Sequence, residues 1–403
     1  MSNQNRTHNP TRWALLMAVL ILLALTVSCR EVKLPTAPPG ADTPAASASA
    51  TRERFVFYLP FVNDQASPIP SATATPSPEP ATPVPAQAPP TPTPTPEWPE
   101  PLSQPGQSKL GIHVQVNNDP RIMAFIRVVK PRVVKGVDDL GFLAEVKQVS
   151  PQTVTIGRFS DVSQDMEGDP VEAARAFVAK FLSRYQSYSG IDYWEGMNEP
   201  VVRGRMQWYT TFEVERVRLM ASYGLKCAIG SFSTGVPEWD EFEAFLPAIR
   251  AAQANGGILS LHEYDAPTMN RSIGVALPGR APVSDRGPLT LRYRWWYEDI
   301  LIPRGLAIPL VITELGVDGG VYDRPGPSGD GWLDFVDYWR SQGLDPDGVT
   351  EYLNQLSWYD NEMRRDSYVL GGVIFTAGSV SNMTSFEIRD LLRPLAYYHA
   401  AQP

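Results

Sequence analysis

The chain has 403 residues, a formal net charge of -9 and a sequence pI near 5.1. That balance excludes a nucleic-acid partner held by phosphate contacts, which need a basic surface to release counterions. Of the 39 prolines, 20 lie between Pro35 and Pro105 amid Ala, Thr and Ser; such a stretch is too poor in large apolar side chains to offset its ordering entropy. A large core is therefore left to the residues from Lys109 onward, and the two cysteines, Cys29 and Cys227, make no disulfide framework.

Arg6 and Arg12 precede an apolar run from Trp13 to Val27, followed by Ser28, Cys29 and Arg30. This is the layout of a basic n-region, an h-region and a small-residue cleavage point, and the run is short for a membrane span. A small residue directly before a cysteine resembles the lipobox of bacterial lipoproteins. That resemblance implies a lipoprotein-type signal over residues 1–29, lipidation of Cys29, and a membrane partner reached through the lipid anchor. If the run is instead an uncleaved single span, the remainder still lies outside the cytoplasm.

Residues 30–108 read as a disordered Pro/Thr/Ala-rich linker, extended as polyproline II at about 3.1 Å per residue. Its Thr-Pro pairs, Thr91 to Pro96 among them, are candidate O-glycan carriers. One island, Arg54 to Val62 (RFVFYLPFV), is too apolar for a pure linker. The sequence does not decide between a strand docked on the folded domain and a local sticky segment.

From residue 109 to 403, short β-branched runs alternate with amphipathic stretches, as parallel βα units do. The predicted strands are Leu110 to Val116, Val133 to Val137, Thr153 to Phe159, Ile191 to Met197, Lys226 to Ser231, Ile258 to Tyr264, Leu310 to Leu315 and Leu370 to Phe375. Predicted helices follow over Pro120 to Val129, Asp139 to Gln148, Pro170 to Tyr188, Met206 to Tyr223, Trp239 to Ala254, Leu289 to Ile302, Val349 to Asp366 and Ile388 to His399. Eight units in about 295 residues predict a (β/α)8 TIM barrel. The competing doubly wound sheet lacks a glycine-rich phosphate loop after its first strand.

A barrel should carry its reactive groups at the carboxyl ends of its strands. Strand four ends in Trp194-Glu195-Gly196-Met197-Asn198-Glu199-Pro200, and strand seven in Ile312-Thr313-Glu314-Leu315-Gly316. Carboxylates at those two mouths would flank one opening, and glycoside hydrolysis needs such a pair. With His262-Glu263-Tyr264 at strand six, the order and placement resemble the clan A retaining glycoside hydrolases, including families 5 and 39. The resemblance spans residues 109 to 403. Many members show Trp-Glu-x-Trp-Asn-Glu-Pro at strand four, where this chain has Met197 at the second aromatic place.

The resemblance implies that Glu199 is the acid/base and Glu314 the nucleophile. It further implies that Asn198 bonds the sugar 2-hydroxyl, that Tyr264 holds the nucleophile, and that His262 contacts the acid/base or the substrate. Retention requires carboxyl groups about 5 to 5.5 Å apart, whereas more than about 6.5 Å would point to inversion. At strand eight the chain departs from the family, which often places a tryptophan under the sugar; here Phe375 is the available platform.

The residues themselves add further expectations. Arg158 and Glu195 should pair, because an unpaired charge facing a barrel interior is costly. Glu263 should point into the wall or the helix layer, His113 and Gln115 are secondary candidates for the substrate floor, and Cys227 should be a buried inert thiol. The Gly/Pro/Asp-rich stretch from Val317 to Asp347 is the candidate substrate-shaping loop, with Trp332 as its stacking residue. No ligand spacing suggests a metal or other cofactor. The partner expected is an extracellular poly- or oligosaccharide, the location a bacterial cell surface, and a monomer is the default. The alternative function is a catalytically inactive barrel that binds surface glycans.

Overall fold

The computed structural model describes residues 97–402 apart from 322, 323 and 345. The signal segment, Cys29, the apolar island at 54–62 and the linker up to residue 96 lie outside the described residues. The strands are β1 (Leu110–Val114), β2 (Val133–Val137), β3 (Val154–Arg158), β4 (Tyr193–Trp194), β5 (Ala228–Phe232), β6 (Ile258–Asp265), β7 (Leu310–Val317) and β8 (Val369–Ala377). All pair in parallel, in the order β4-β3-β2-β1-β8-β7-β6-β5. A bridge between Trp194 and Cys227 brings the two outer strands together, so the sheet is a nearly closed (β/α)8 barrel.

Local chemistry sets the helices that wrap it. α1 (Pro120–Val129) and α3 (Pro170–Ser187) each begin with proline after an aspartate cap. Asp119 accepts from Arg121 N–H, and Asp169 from Val171 and Glu172 N–H, satisfying donors that a helix start leaves open. Between them lies α2 (Phe142–Val149). α4 (Met206–Ser222) and α5 (Trp239–Ala254) pack side by side, the latter entered through a Glu238–Glu241 capping box. The helix expected over 289–302 is a single turn, α6 (Tyr293–Trp296), widening into a π turn at Tyr297–Leu301. Leu291, at φ +52, breaks the pattern before it.

The stretch after β7 is more ordered than its composition predicts. It carries a 3-10 turn (Trp332–Phe335) and α7 (Val336–Ser341), and Arg324 pins its tip by donating to the carbonyls of Gly319, Pro327 and Gly329. α8 (Val349–Arg365) and α9 (Leu392–Ala400) complete the ring, with two 3-10 turns ahead of α9. Residues 97–108, compositionally part of the linker, lie along the barrel: Trp98 packs on the core, and Leu102 and Gln107 donate to the carbonyls of Val128 and Gln402. Among the described residues no helix is long and apolar enough to cross a membrane.

Two apolar layers hold the fold. The larger lies between strands and helices. The smaller takes one residue from each of six strands, Val133, Ile156, Ala228, Ile258, Val311 and Val373, with Tyr193 of β4 packed against it. Only the barrel interior can gather such a set, and it forms the floor beneath the site.

Candidate active site

Strand alternation places the next inward side chains two residues beyond the floor. Val133 leads to Lys135, Ile156 to Arg158, Tyr193 to Glu195, Ile258 to Ser260 and Val311 to Thr313. All five reached residues are buried, and they form a polar ring in which three are charged. Lys135 Nζ lies 2.9 Å from Glu195 Oε2 and 3.0 Å from Glu314 Oε1. Arg158 makes a longer pair with each of the same carboxylates, at 3.5 and 3.6 Å. Ser260 donates to Glu195 Oε1 at 2.7 Å and shares a 2.6 Å bond with Thr313.

Glu314 enters this ring through an irregularity in β7. Leu261 and His262 of β6 face Ile312 and Glu314, so one residue of β6 spans two of β7. The same offset recurs against β8 between Ile312 and Leu315. This is a β-bulge. It lets Thr313 and Glu314 both point inward while Ile312 and Leu315 remain in the outer core, which strict alternation forbids.

The two oxygens of Glu314 have different neighbours. Oε1 faces Lys135, Arg158 and, at 3.8 Å, His113 Nε2. Oε2 accepts from the Tyr264 hydroxyl at 3.1 Å and lies 3.5 Å from His262 Nδ1. Burial alone would raise the Glu314 pKa, but the positive groups around it, His262 and Lys135 foremost, hold its carboxyl well below the usual carboxylate range. Burial likewise works against Glu195, and Lys135 and Arg158 overcome it to bring the carboxyl down to about 2. Burial and the Lys135 ammonium push His113 well below the ordinary histidine value, leaving a neutral ring whose Nδ1 shares a 2.7 Å bond with Thr376. Burial and the Glu314 charge raise the Tyr264 phenol well above its ordinary value, so it remains a donor.

Glu199 is reached differently. β4 stops at Trp194, short of the predicted end at Met197, and the chain runs without a ladder to Glu199. That residue is left-handed, at φ +48. Its N–H donates to the carbonyl of Ser231 at 2.9 Å, and its Oε1 shares a 2.8 Å hydrogen bond with His262 Nδ1. A donor atom from each of Glu199, His262 and Glu314 lies within 4.8 Å of the others. The carboxylates expected at strands four and seven therefore lie close together, with His262 between them.

These three donors also raise the question of a cation. A four-coordinate zinc ion with bonds of about 2.0–2.2 Å would hold its ligand atoms roughly 3.3–3.5 Å apart. The 2.8 Å Glu199–His262 contact is shorter, and Glu314 already shares two cationic side chains. The set is a poor match to a dication.

The remaining expected residues divide. Arg158 joins the site but is a secondary partner of Glu195, because Lys135 is closer to it. Asn198 keeps its Oδ1 buried without a hydrogen-bond partner. Phe375 lies edge-on to Tyr264 and Phe386 and 4.8 Å from the His113 ring. Gln115 ties down the turn after β8 by accepting from Val380 N–H. Glu263 turns to the helix layer as expected, accepting from Leu291 and Tyr293 N–H and the Tyr359 hydroxyl. Cys227 is a buried free thiol, pushed up to about 11 by burial.

Trp332 does not present a stacking face. It is 3% exposed, lies flat on Tyr352 at 4.9 Å, and donates to the carbonyl of Glu387. Its role is to pack the loop. Lys135 escaped the sequence analysis, although a lysine inside the otherwise apolar run VVKGV, with the parity of the floor residue Val133, was its signal.

No family model matches the chain, and no curated protein matches it. Among solved structures it is similar to a GH128 (subgroup II) endo-β-1,3-glucanase from Pseudomonas viridiflava, at 16% identity and a TM-score of 0.38, covering 73% of this chain and 98% of that one. It is also similar to a hyperthermostable endo-1,4-β-D-mannanase from Thermotoga petrophila RKU-1, at 12% identity and a TM-score of 0.37, covering 72% and 99% of the two chains. A third is a Bacteroides uniformis β-glucuronidase, at 12% identity and a TM-score of 0.44, covering 73% of this chain and 35% of that one. These neighbours are glycoside hydrolases; likeness at this level does not extend to the reaction of the present chain.

Proposed function

We propose that the protein is a retaining O-glycoside hydrolase acting on an extracellular poly- or oligosaccharide, with Glu314 as nucleophile and Glu199 as acid/base. One observation carries the reading: oxygens of the two carboxylates approach within 4.8 Å across His262, while Glu314 alone is surrounded by fixed cations. So close an approach of oxygens favours the shorter carboxyl separation, of about 5–5.5 Å, that retention uses. Glu314 Oε2, 3.5 Å from the His262 nitrogen that meets Glu199, is the oxygen suited to attack; Oε1 is tied to Lys135.

In the first step Oε2 bonds to the anomeric carbon as the glycosidic C–O bond breaks, and the leaving oxygen takes the proton of Glu199. In the second, water gives a proton to Glu199 and its oxygen to the anomeric carbon, the ester bond breaks, and the Glu314 carboxylate returns. Asn198, with its unpartnered buried oxygen, would receive a sugar hydroxyl, and Phe375 would line the same subsite. His262 orients Glu199, and Tyr264 holds Oε2. The apolar export segment and Cys29 support placement at a bacterial cell surface through a lipid anchor, with the proline-rich segment as spacer.

The test joins a variant to a label. Glu314→Gln should lower turnover by about 10⁴-fold or more while the fold survives, and a mechanism-based glycosyl probe should mark Glu314 in the unaltered protein. Full activity in the variant would remove the assigned nucleophile. Glycan binding without hydrolysis across a broad panel would favour a binding barrel instead.

A further inference from the structure

The barrel closes at one seam by a bridge alone. Trp194 faces Cys227 there, and Trp194 N–H donates to Lys226 O at 2.9 Å. In a continued parallel ladder the carbonyl of Ala228 would next accept from Gly196. It accepts instead from Arg216 Nη2, on α4, at 3.0 Å, while Nη1 reaches the carbonyl of Trp194 at 3.2 Å. Glu213, one turn earlier, grips the same guanidinium through Nε at 2.9 Å and Nη2 at 2.8 Å.

Both side chains are completely buried. Gly196 lies directly over them: a Cβ there would sit 3.0 Å from Arg216 Nε and 3.1 Å from Glu213 Oε1. Beyond this wedge, the backbone of 195–199 meets the neighbouring strands through Glu195 N–H to Gly157 O at one end and Glu199 N–H to Ser231 O at the other, while the Glu195 side chain is held by Ser260 and Lys135. Glu199 and Ser231 are both left-handed, at φ +48 and +44, a conformation that non-glycine residues hold only when their surroundings impose it. Apolar side chains could fill a buried seam without the desolvation cost of an ion pair. A planar fork engaging two carbonyls and a carboxylate also fixes where the strands part.

We infer that Arg216, oriented by Glu213, is a positioning residue for Glu199: it sets where the 195–199 segment leaves the barrel wall and hence where the Glu199 carboxyl meets His262. The inference rests on the acid/base role proposed for Glu199, but its geometry can be tested separately. Arg216→Lys keeps the charge and loses the fork. A crystal structure of this variant should retain the barrel and show Glu199 Oε1 withdrawn from His262 Nδ1. An unchanged 2.8 Å contact would overturn the inference whatever the activity.

Kinetics supply a readout that a general loss of stability would not move. An aryl glycoside with a strongly acidic phenol needs little proton donation in its first step, whereas an alkyl glycoside depends on it. Arg216→Lys should lower kcat/KM for the alkyl glycoside by about 10²-fold and leave that for the activated aryl glycoside near the unaltered value. Equal losses on both would overturn the positioning role. An unaltered protein that cleaves no glycoside would sink the hydrolase reading, and the crystallographic contact would then decide the inference by itself. Should Arg216→Lys fail to fold, Glu213→Gln leaves the two carbonyl bonds in place and should give the same displacement and substrate split at smaller size.

Discussion

Inside one barrel, the floor of Val133, Ile156, Ala228, Ile258, Val311 and Val373 lies one inward step below a ring containing Lys135, Arg158, Glu195, Ser260 and Thr313. The two sets share burial, and on β2, β3, β6 and β7 they share strand and parity as well. Each valine or isoleucine of the floor stabilises the fold by about 1.5–3 kcal/mol through removal from water. Each ion of the ring instead carries a desolvation penalty of several kcal/mol, offset only by good geometry. Burial therefore does not distinguish core from site here. What distinguishes them is whether a position contributes stability or consumes it, and the ring consumes it directly beneath Glu314.

Lys135→Met should break this contrast most sharply, because it makes one ring position resemble the floor. Glu195 and Glu314 would lose their shared ammonium, and kcat/KM should fall by about 10²–10³-fold, as when a preorganised electrostatic group is removed. The acidic limb of its pH profile should move toward neutral, since Glu314 would lose a cation that holds its carboxyl down. Denaturant titration should show about 3–5 kcal/mol of lost stability from the unpaired buried charges. An unmoved acidic limb would mean that Arg158 and His262 suffice.

Ile258→Ala probes the opposite side. It should cost about 2–5 kcal/mol in urea unfolding with little change in kcat/KM. A large kinetic loss at equal temperature, with the variant still folded, would show that the floor also tunes the site.

The smallest expected effect on activity concerns Glu263, a buried carboxyl that faces the helices. Burial pushes it up to about 7 against its three donors. A folded pKa above the unfolded value of about 4.3 means a contribution fully present below that value and lost as pH rises through the folded pKa. Glu195 and Glu314, both depressed, have the reverse sign: their contribution is present above about 4.3 and lost as pH falls through their folded pKa values. The stability difference between Glu263→Gln and the unaltered protein should therefore shift in favour of glutamine between about pH 4.5 and about pH 8. A constant difference would show that the donors cancel burial, and a shift in favour of glutamate that they outweigh it.

How much of this could be read beforehand depended on how local each signal was. The βα alternation predicted eight strands close to their observed positions, because period and β-branched content are properties of short windows. β4 was predicted at seven residues and is two, since the length of a strand depends on what its neighbour offers, and Arg216 takes the next rung. Trp332 was legible as an aromatic in a long loop; which face it covered depended on Tyr352, twenty residues away. Lys135 was visible as a charge within a strand but had no partner until β2, β4 and β7 were drawn around one axis.

By itself the sequence determined the βα rhythm, the acidic character, and the presence of His262, Tyr264 and Glu314 toward strand ends with Glu199 in the segment after β4, because composition and short-range pattern encode those directly. Only the tertiary structure decided that the β7 bulge turns Glu314 inward beside Thr313, that Lys135 joins Glu195 to Glu314, and that Arg216 wedges the seam. Each of these depends on distances between strands far apart in the chain, which closure of the barrel brings within 3 to 4 Å.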